Sequence, residues 1–285
     1  MTNAVVWRVP ETGEVWVAAD SRVSTQSLTR PGGLCSVTDQ AVKVFHLPVI
    51  VRGSTKRVPQ ELDLLTLNLG IVYAGAVTPA LMTYHAAATF LANLVPPKPY
   101  RLPTLEQVAN LVRHLAERYT RDAAVAYPSN KPPFCEFVVF GLDPPGGSIK
   151  ERAAQAAYWI HPKPLNKYAP FAQVMDRVEL EQGEMAVIGD ETASLREGID
   201  TVRREGHLAW KGVEPRIALD RRMAAGKVGS VGGTMQFGIH RENSFELFGW
   251  ARDADRKSHQ NWLGFDCAGE VSEALGMPVQ LRALL

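Results

Sequence analysis

The order of its elements constrains this chain most. Short runs of β-branched and aromatic residues come in groups, and pairs of helical segments separate one group from the next. Ala4 to Val9 and Glu14 to Ala19 read as a hairpin across Pro10-Glu11-Thr12-Gly13 that starts almost at the first residue. Val42 to Leu47 and Leu69 to Tyr73 are a second candidate pair; Pro48, Gly53, Pro59 and the run Ser54-Thr55-Lys56-Arg57 predict that part of 47–68 is an inserted loop. Thr78-Pro79 reads as a cap with an N1 proline, and Leu81, Met82, His85, Phe90, Leu91 and Leu94 continue at helical spacing up to Pro96-Pro97. Thr104 and Gln107 have capping-box spacing ahead of a stripe of Leu105, Val108, Leu111, Val112 and Leu115. Strand-like runs return at Phe134 to Leu142, Ala153 to Ile160 and Met185 to Ile188. A second helix pair covers Thr192 to Glu205 and Glu214 to Ala225, each stopped by a glycine, and a hairpin of Thr234 to His240 with Phe245 to Ala251 follows. Neighbouring strands separated by helix pairs argue against alternating βαβ units and a doubly wound parallel sheet. An α+β chain with two stacked antiparallel sheets and a helix layer on each outer side satisfies this order.

Composition fits one core. At 285 residues the chain can bury roughly 75% of the surface its unfolded form exposes, so neither metal nor disulfides are needed as staples. Its 31 Lys and Arg against 30 Asp and Glu leave a formal charge of +1 and no basic run, which disfavours nucleic acid as a partner. Cys35, Cys135 and Cys267 are odd in number and widely spaced, as expected in a reducing compartment. The start carries no signal-peptide pattern and no apolar run is long enough to span a bilayer, so a cytosolic protein without a membrane partner is expected. Phosphate-loop, dinucleotide, serine-elbow and zincin motifs are missing, and no cofactor is expected. Val228 to Gly233 is glycine-rich but precedes a strand without a partner lysine, which favours a tight turn or close sheet contact. Asp253-Ala254-Asp255 reads as an exposed acidic turn before it reads as a metal ligand set.

Chemistry concentrates at the second residue. Thr2 follows the initiator methionine and is small enough for Met1 removal to be expected, which would leave a free N-terminal threonine. Such a residue carries nucleophile and base together, because an α-amine with a pKa near ~7.7–8.0 can accept the hydroxyl proton at neutral pH. It further needs a nearby positive charge, a carboxylate to hold that charge, and backbone N–H donors for an oxyanion. Met-Thr starts are common in cytosolic proteins, so Thr2 alone decides nothing.

Its surroundings do more. Thr2, the hairpin end Ala18-Ala19-Asp20-Ser21-Arg22, then Val42-Lys43-Val44-Phe45, then Val72-Tyr73-Ala74-Gly75-Ala76, resembles the N-terminal half of proteasome β subunits and their bacterial relatives, the HslV-type and Anbu-type ring proteins. The later strands, the end Val187-Ile188-Gly189 and both helix pairs follow that family's order, so the resemblance covers roughly residues 2–250. It implies the four-layer αββα fold of N-terminal-nucleophile hydrolases over 2–251, with an insert near 47–68 and an extension at 252–285. It implies a threonine peptidase or amide hydrolase in which Thr2 forms an acyl-enzyme, Asp20 pairs with Lys43, Lys43 lowers the amine and hydroxyl pKa values, and Gly75 N–H faces the oxyanion. Read without the resemblance, Asp20 is a turn carboxylate and Lys43 an edge-strand charge. Arg22 is expected to buttress its loop.

Two positions depart from the family. Asp190 stands where a serine is usual, either bonding the threonine amine or capping the following helix. The later Asp and Ser pair falls on Val228 to Val231, where only Ser230 is available. Tyr73 is expected at the floor of the first specificity pocket, with Val23, Ala41 and Val77 as walls, favouring small or medium side chains in a peptide or protein substrate. A homo-oligomeric ring or open ring is implied, with 79–94 as either a subunit contact or a core helix; an ATPase or other unfoldase partner is neither indicated nor excluded. The apolar tail residues Trp262, Leu263, Phe265, Leu275 and Leu281 are expected to pack on the subunit or a neighbour. The alternatives are an enzyme of the same fold that cuts a small amide, and a non-catalytic ring or scaffold protein.

Overall fold

The computed structural model describes residues 2–26, 33–55, 58–95, 101–126, 133–144, 154–163, 171–206, 212–248, 261–262, 265–277 and 279. The chain opens with β1 (Asn3–Arg8) and β2 (Val15–Ala19), paired from Ala4↔Ala19 to Arg8↔Val15. Gly13 closes their turn at φ +72°, its N–H donating to Val9 O at 2.8 Å. A small ribbon of β3 (Val23–Gln26) and β4 (Leu34–Thr38) leads into β5 (Val44–Thr55) and β6 (Val58–Gly75). The helices α1 (Val77–Leu91) and α2 (Leu105–Ala126) are followed by β7 (Cys135–Asp143), β8 (Ala154–Lys163), β9 (Ala172–Val178) and β10 (Met185–Gly189). Next come α3 (Thr192–Glu205), α4 (Glu214–Ala225), β11 (Gln236–Arg241) and β12 (Ser244–Phe248).

These strands build two five-stranded antiparallel sheets, ordered β10-β1-β2-β11-β12 and β5-β6-β7-β8-β9. Period-two alternation assigns their faces. Ala4, Val6, Val15, Val17 and Ala19 of the first sheet share a buried cluster with Val44, Val72, Ala74, Val138 and Phe140 of the second, so the sheets stack. The intervening residues Val5, Trp7, Trp16 and Ala18 pack instead with Leu195, Ile199 and Leu219 of α3 and α4. On the second sheet Ile71, Tyr73, Phe137 and Val139 pack with Ala80, Leu105, Val108 and Val112 of α1 and α2. Both faces of both sheets are therefore covered, and β1 and β2 are buried along almost their whole length.

Two local expectations are corrected. The segment expected to be partly an inserted loop is an antiparallel ribbon: β5 and β6 pair from Val44↔Val72 out to Thr55↔Val58, with register shifts near Arg52 and Gly53. Pro48 is tolerated because β5 is an edge strand whose outward side needs no donor, while Val49, Val51 and Leu67 alternate into the core. Helix α1 takes Ala76, not Thr78, as its N-cap, and no side chain caps it. The weakly patterned β9 and the β3–β4 ribbon were not expected. By contrast Thr104 and Gln107 form the reciprocal capping box, at 3.0 and 3.2 Å. Of the tail, Phe265 and Leu275 are 53% and 63% exposed, and Leu263, Leu281 and the Asp253–Asp255 turn lie outside the described residues. Among the described residues no helix is long and apolar enough to cross a membrane.

Candidate active site

Thr2 is placed by three strands. Just before β1 it lies between the end of β2 and the end of β10, only 2% exposed. Its carbonyl accepts Asp190 N–H at 2.9 Å, and the next amide, Asn3 N–H, donates to Asp20 Oδ1 at 2.9 Å. Gly189 makes the first contact possible. It holds φ +103°, and a Cβ there would stand 1.6 Å from Thr2 O, so only glycine lets β10 run this close to the N-terminus.

Asp20 and Lys43 meet directly below. Both are fully buried, with Lys43 Nζ 3.0 Å from Asp20 Oδ1 and 2.6 Å from Arg22 O. Asp20 Oδ2 takes Arg22 N–H at 3.1 Å and Gly232 N–H at 3.0 Å. Burial pushes the Asp20 pKa up, against the opposing pull of Lys43 and the Gly232 and Asn3 amides. All four groups touching its oxygens are donors and none can accept a proton from it, so the carboxylate is the form this geometry holds. Burial lowers the Lys43 pKa from the usual lysine value, with the Asp20 charge as the main counterweight. Neither the turn carboxylate nor the edge-strand charge survives: both side chains are interior and paired.

Around the pair, Arg22 clasps Asp39 through Nε at 2.6 Å and Nη2 at 3.0 Å, the loop-buttressing part expected of it. The glycine-rich segment, read as a tight turn or close sheet contact, turns tightly, Val231 N–H donating to Val228 O at 3.0 Å, and packs on the chain just after β2. Gly232 O accepts Ser21 N–H at 3.1 Å, and a Cβ at Gly233 would lie 2.4 Å from Ser21 Oγ. Asp190 and Ser230 come together, with Ser230 Oγ donating to Asp190 Oδ2. Asp190 is not the helix cap; Glu191, at φ +47°, holds that position and makes no side-chain cap bond. Gly75 ends β6 at φ +106°, where a Cβ would stand 2.4 Å from Phe134 O, so the main chain there is bare of any side chain.

The expected pocket residues are dispersed over several elements. Tyr73 is 1% exposed, packs near Phe45 and Phe137 on the α1–α2 side of its sheet, and its hydroxyl has no hydrogen-bond partner among the described residues. Val23 starts β3, Val77 starts α1, and Ala41 sits in the loop before β5, donating its N–H to Ser21 O at 2.9 Å. No group of His, Cys, Asp and Glu able to hold a metal occurs among the described residues.

Sequence reading missed Asn3, Gln236 and Arg222, and named Gly189 only as a strand end. Gln236 is fully buried: Oε1 accepts Lys43 N–H at 2.8 Å and Val44 N–H at 3.3 Å, while Nε2 donates to Ala41 O at 2.8 Å and Asp20 O at 3.3 Å. A polar amide at a core-facing strand position was the available signal, at both Asn3 and Gln236.

Two stacked antiparallel sheets, with a threonine buried at the start of the first strand, define an α+β fold of this layered class. More particularly, the chain is similar to solved Anbu structures. The helical assembly of the Anbu complex from Pseudomonas aeruginosa matches with a TM-score of 0.54 and 14% identity, over 90% of this chain and 88% of that one. Anbu (ancestral beta-subunit) from Yersinia bercovieri matches with a TM-score of 0.50 and 13% identity, over 86% of each chain. No family profile and no curated protein matches by sequence. At these identities the likeness defines the fold.

Proposed function

We propose that the protein is an N-terminal-nucleophile amide hydrolase of the proteasome-like threonine peptidase class, with a four-layer αββα domain over 2–251. One observation carries the reading: a fully buried Lys43 is ion-paired to an Asp20 that also holds the amide immediately after Thr2. Burying a charge pair is costly, and it is repaid here next to the residue whose amine and hydroxyl the chemistry needs. With Met1 removed, the Thr2 α-amine accepts the hydroxyl proton and Oγ attacks the substrate carbonyl. The carbonyl oxygen gains the negative charge beside Gly75. As the C–N bond breaks, the proton passes to the departing amine; water then hydrolyses the ester and restores the hydroxyl. Asp190, whose N–H holds Thr2 O, supplies the acid beside the N-terminus, and Ser230 donates to it, in place of the family's late Asp and Ser pair. Tyr73 closes the first specificity pocket, which favours small or medium side chains.

A homo-oligomer is part of the proposal. One similar structure is a helical assembly, and α1 leaves Met82 46% and Phe90 54% exposed, apolar surface that a neighbouring copy would cover.

Intact-mass measurement gives the first test: loss of Met1 is expected, and a retained Met1 makes the Thr2 nitrogen an amide and defeats the reading for that material. Thr2→Ala should abolish labelling by threonine-directed electrophiles and cut amide hydrolysis by about a thousandfold or more. Normal assembly of a wild-type protein that never labels would make it a non-catalytic member of the fold.

A further inference from the structure

Arg222 belongs to the last turn of α4, yet its guanidinium serves three acceptors on three other parts of the chain. Nε donates to Asn3 Oδ1 at 2.8 Å, Nη1 to Ser194 Oγ at 2.9 Å and Nη2 to Glu191 Oε2 at 2.9 Å. Its side chain is 12% exposed, and Asn3 is fully buried. Asn3 continues the chain of contacts, Nδ2 donating to Asp190 O at 2.6 Å, while Asp190 N–H holds Thr2 O. Each link needs its residue type. Asparagine both accepts from Arg222 and donates to Asp190, whereas an aspartate could only accept. A planar fork reaches three acceptors that a lysine ammonium on a flexible stem would not meet together. Glu191, the third acceptor, sits at φ +47°, a conformation that non-glycine residues seldom hold without support from their neighbours.

We propose that Arg222 is a positioning residue for Thr2: acting through Asn3 and Glu191, it locks the Gly189–Asp190–Glu191 corner against the N-terminal strand and so fixes where the threonine amine and hydroxyl stand. This deepens the reading of Thr2 as nucleophile and rests on it. The same ring of bonds ties α4 to β1 and to the start of α3, so the site is held from the helix layer as well as from the sheet.

The test is covalent labelling of Thr2 by a β-lactone probe, resolved into the maximal rate of modification and the half-saturating concentration. Misplacing a reacting group by about 1 Å costs on the order of 10² in rate. Arg222→Ala and Asn3→Ala are each expected to slow the maximal rate by about 10- to 100-fold, with half-saturation changed less than about twofold. The double variant should be no slower than the worse single, because both break one chain of contacts; Arg222→Lys should not restore the rate. An unchanged maximal rate, or an equal rise in half-saturation, overturns the proposal. Should Arg222→Ala fail to fold, Asn3→Ser, which leaves the arginine in place, answers the same question. A second readout needs no chemistry: the Cβ resonance of Thr2 in ¹³C-threonine-labelled protein, titrated through the α-amine. Arg222→Ala should split that resonance or move its midpoint by about half a pH unit or more. Wild-type protein that never labels defeats the nucleophile; a Thr2 resonance indifferent to Arg222→Ala defeats the positioning.

Discussion

Strand β11 carries two buried polar side chains on one face, four residues apart, and each crosses to the other sheet. At the Thr2 end Gln236 uses all four of its hydrogen-bonding sites, on Lys43, Val44, Ala41 and Asp20. At the far end, among the described residues, the His240 side chain makes one bond, Nε2 to Asn68 O at 2.8 Å, and its Nδ1 has no partner. Since a carbonyl can only accept, Nε2 carries the proton. Burial lowers the His240 pKa to about 4, because a charged ring there would have one nitrogen unpaired. A satisfied network rigidifies the groups it joins, and a partly satisfied one is where a fold gives way first. The chain has thus placed its completed polar network at the threonine and a minimal staple opposite.

Breaking the completed end should cost most. Lys43→Ala removes the counter-charge of a carboxylate that stays buried, and loss of one partner of such a pair costs about 3–5 kcal/mol. Urea unfolding at neutral pH measures it. A loss under about 1 kcal/mol would mean that Asp20 is neutral or reached by water, and the contrast between the two ends would disappear.

The far end should fail by acid. Unfolded His240 binds its proton near pH 6.5 and the folded residue only near 4, so between those values the unfolded state holds more protons and stability falls as the pH drops. Across that window the loss from this one residue is about 3 kcal/mol. His240→Gln, which keeps a donor for Asn68 O, should flatten this part of the stability curve. An unchanged acid limb in the variant would assign the sensitivity elsewhere.

The legibility of the two ends in sequence follows the range of their contacts. The β-branched and aromatic runs of Ala4 to Val9 and Glu14 to Ala19, joined across Pro10 to Gly13, gave the first hairpin, and Gly206 and Gly226 marked both helix ends, because such signals lie within a few residues of what they control. The grouping of Thr2 with Asp20, Lys43 and Gly75 was expected only through the order of short motifs, and of it the structure brings Lys43 to Asp20 and Asp20 to the amide after Thr2. The groups that complete the network were not: Gln236 lies 193 residues from Lys43, and Arg222 lies 219 from Asn3. No local period links such pairs; a buried amide in a strand signals only that some partner exists. The β5–β6 ribbon was missed for a related reason. Pro48 and Gly53 read as breakers, while the edge position that makes the proline harmless is a property of the sheet.

Tyr73 offers the smallest and sharpest comparison. It lies two residues before the Gly75 end of β6, on the α1–α2 side of its sheet, fully packed but with its hydroxyl unpaired among the described residues. Burial raises its pKa, and that of neighbouring Cys135 to about 12, so neither ionises at neutral pH. A buried hydroxyl without a partner is a cost. Tyr73→Phe keeps the ring contacts with Phe45 and Phe137 and should leave stability unchanged or raise it by up to about 1 kcal/mol. A loss of that size would show that the hydroxyl is paired after all. If stability holds while substrate preference shifts, the hydroxyl is kept for what enters the pocket, which would add a third polar place to the two ends of β11, one completed only by substrate.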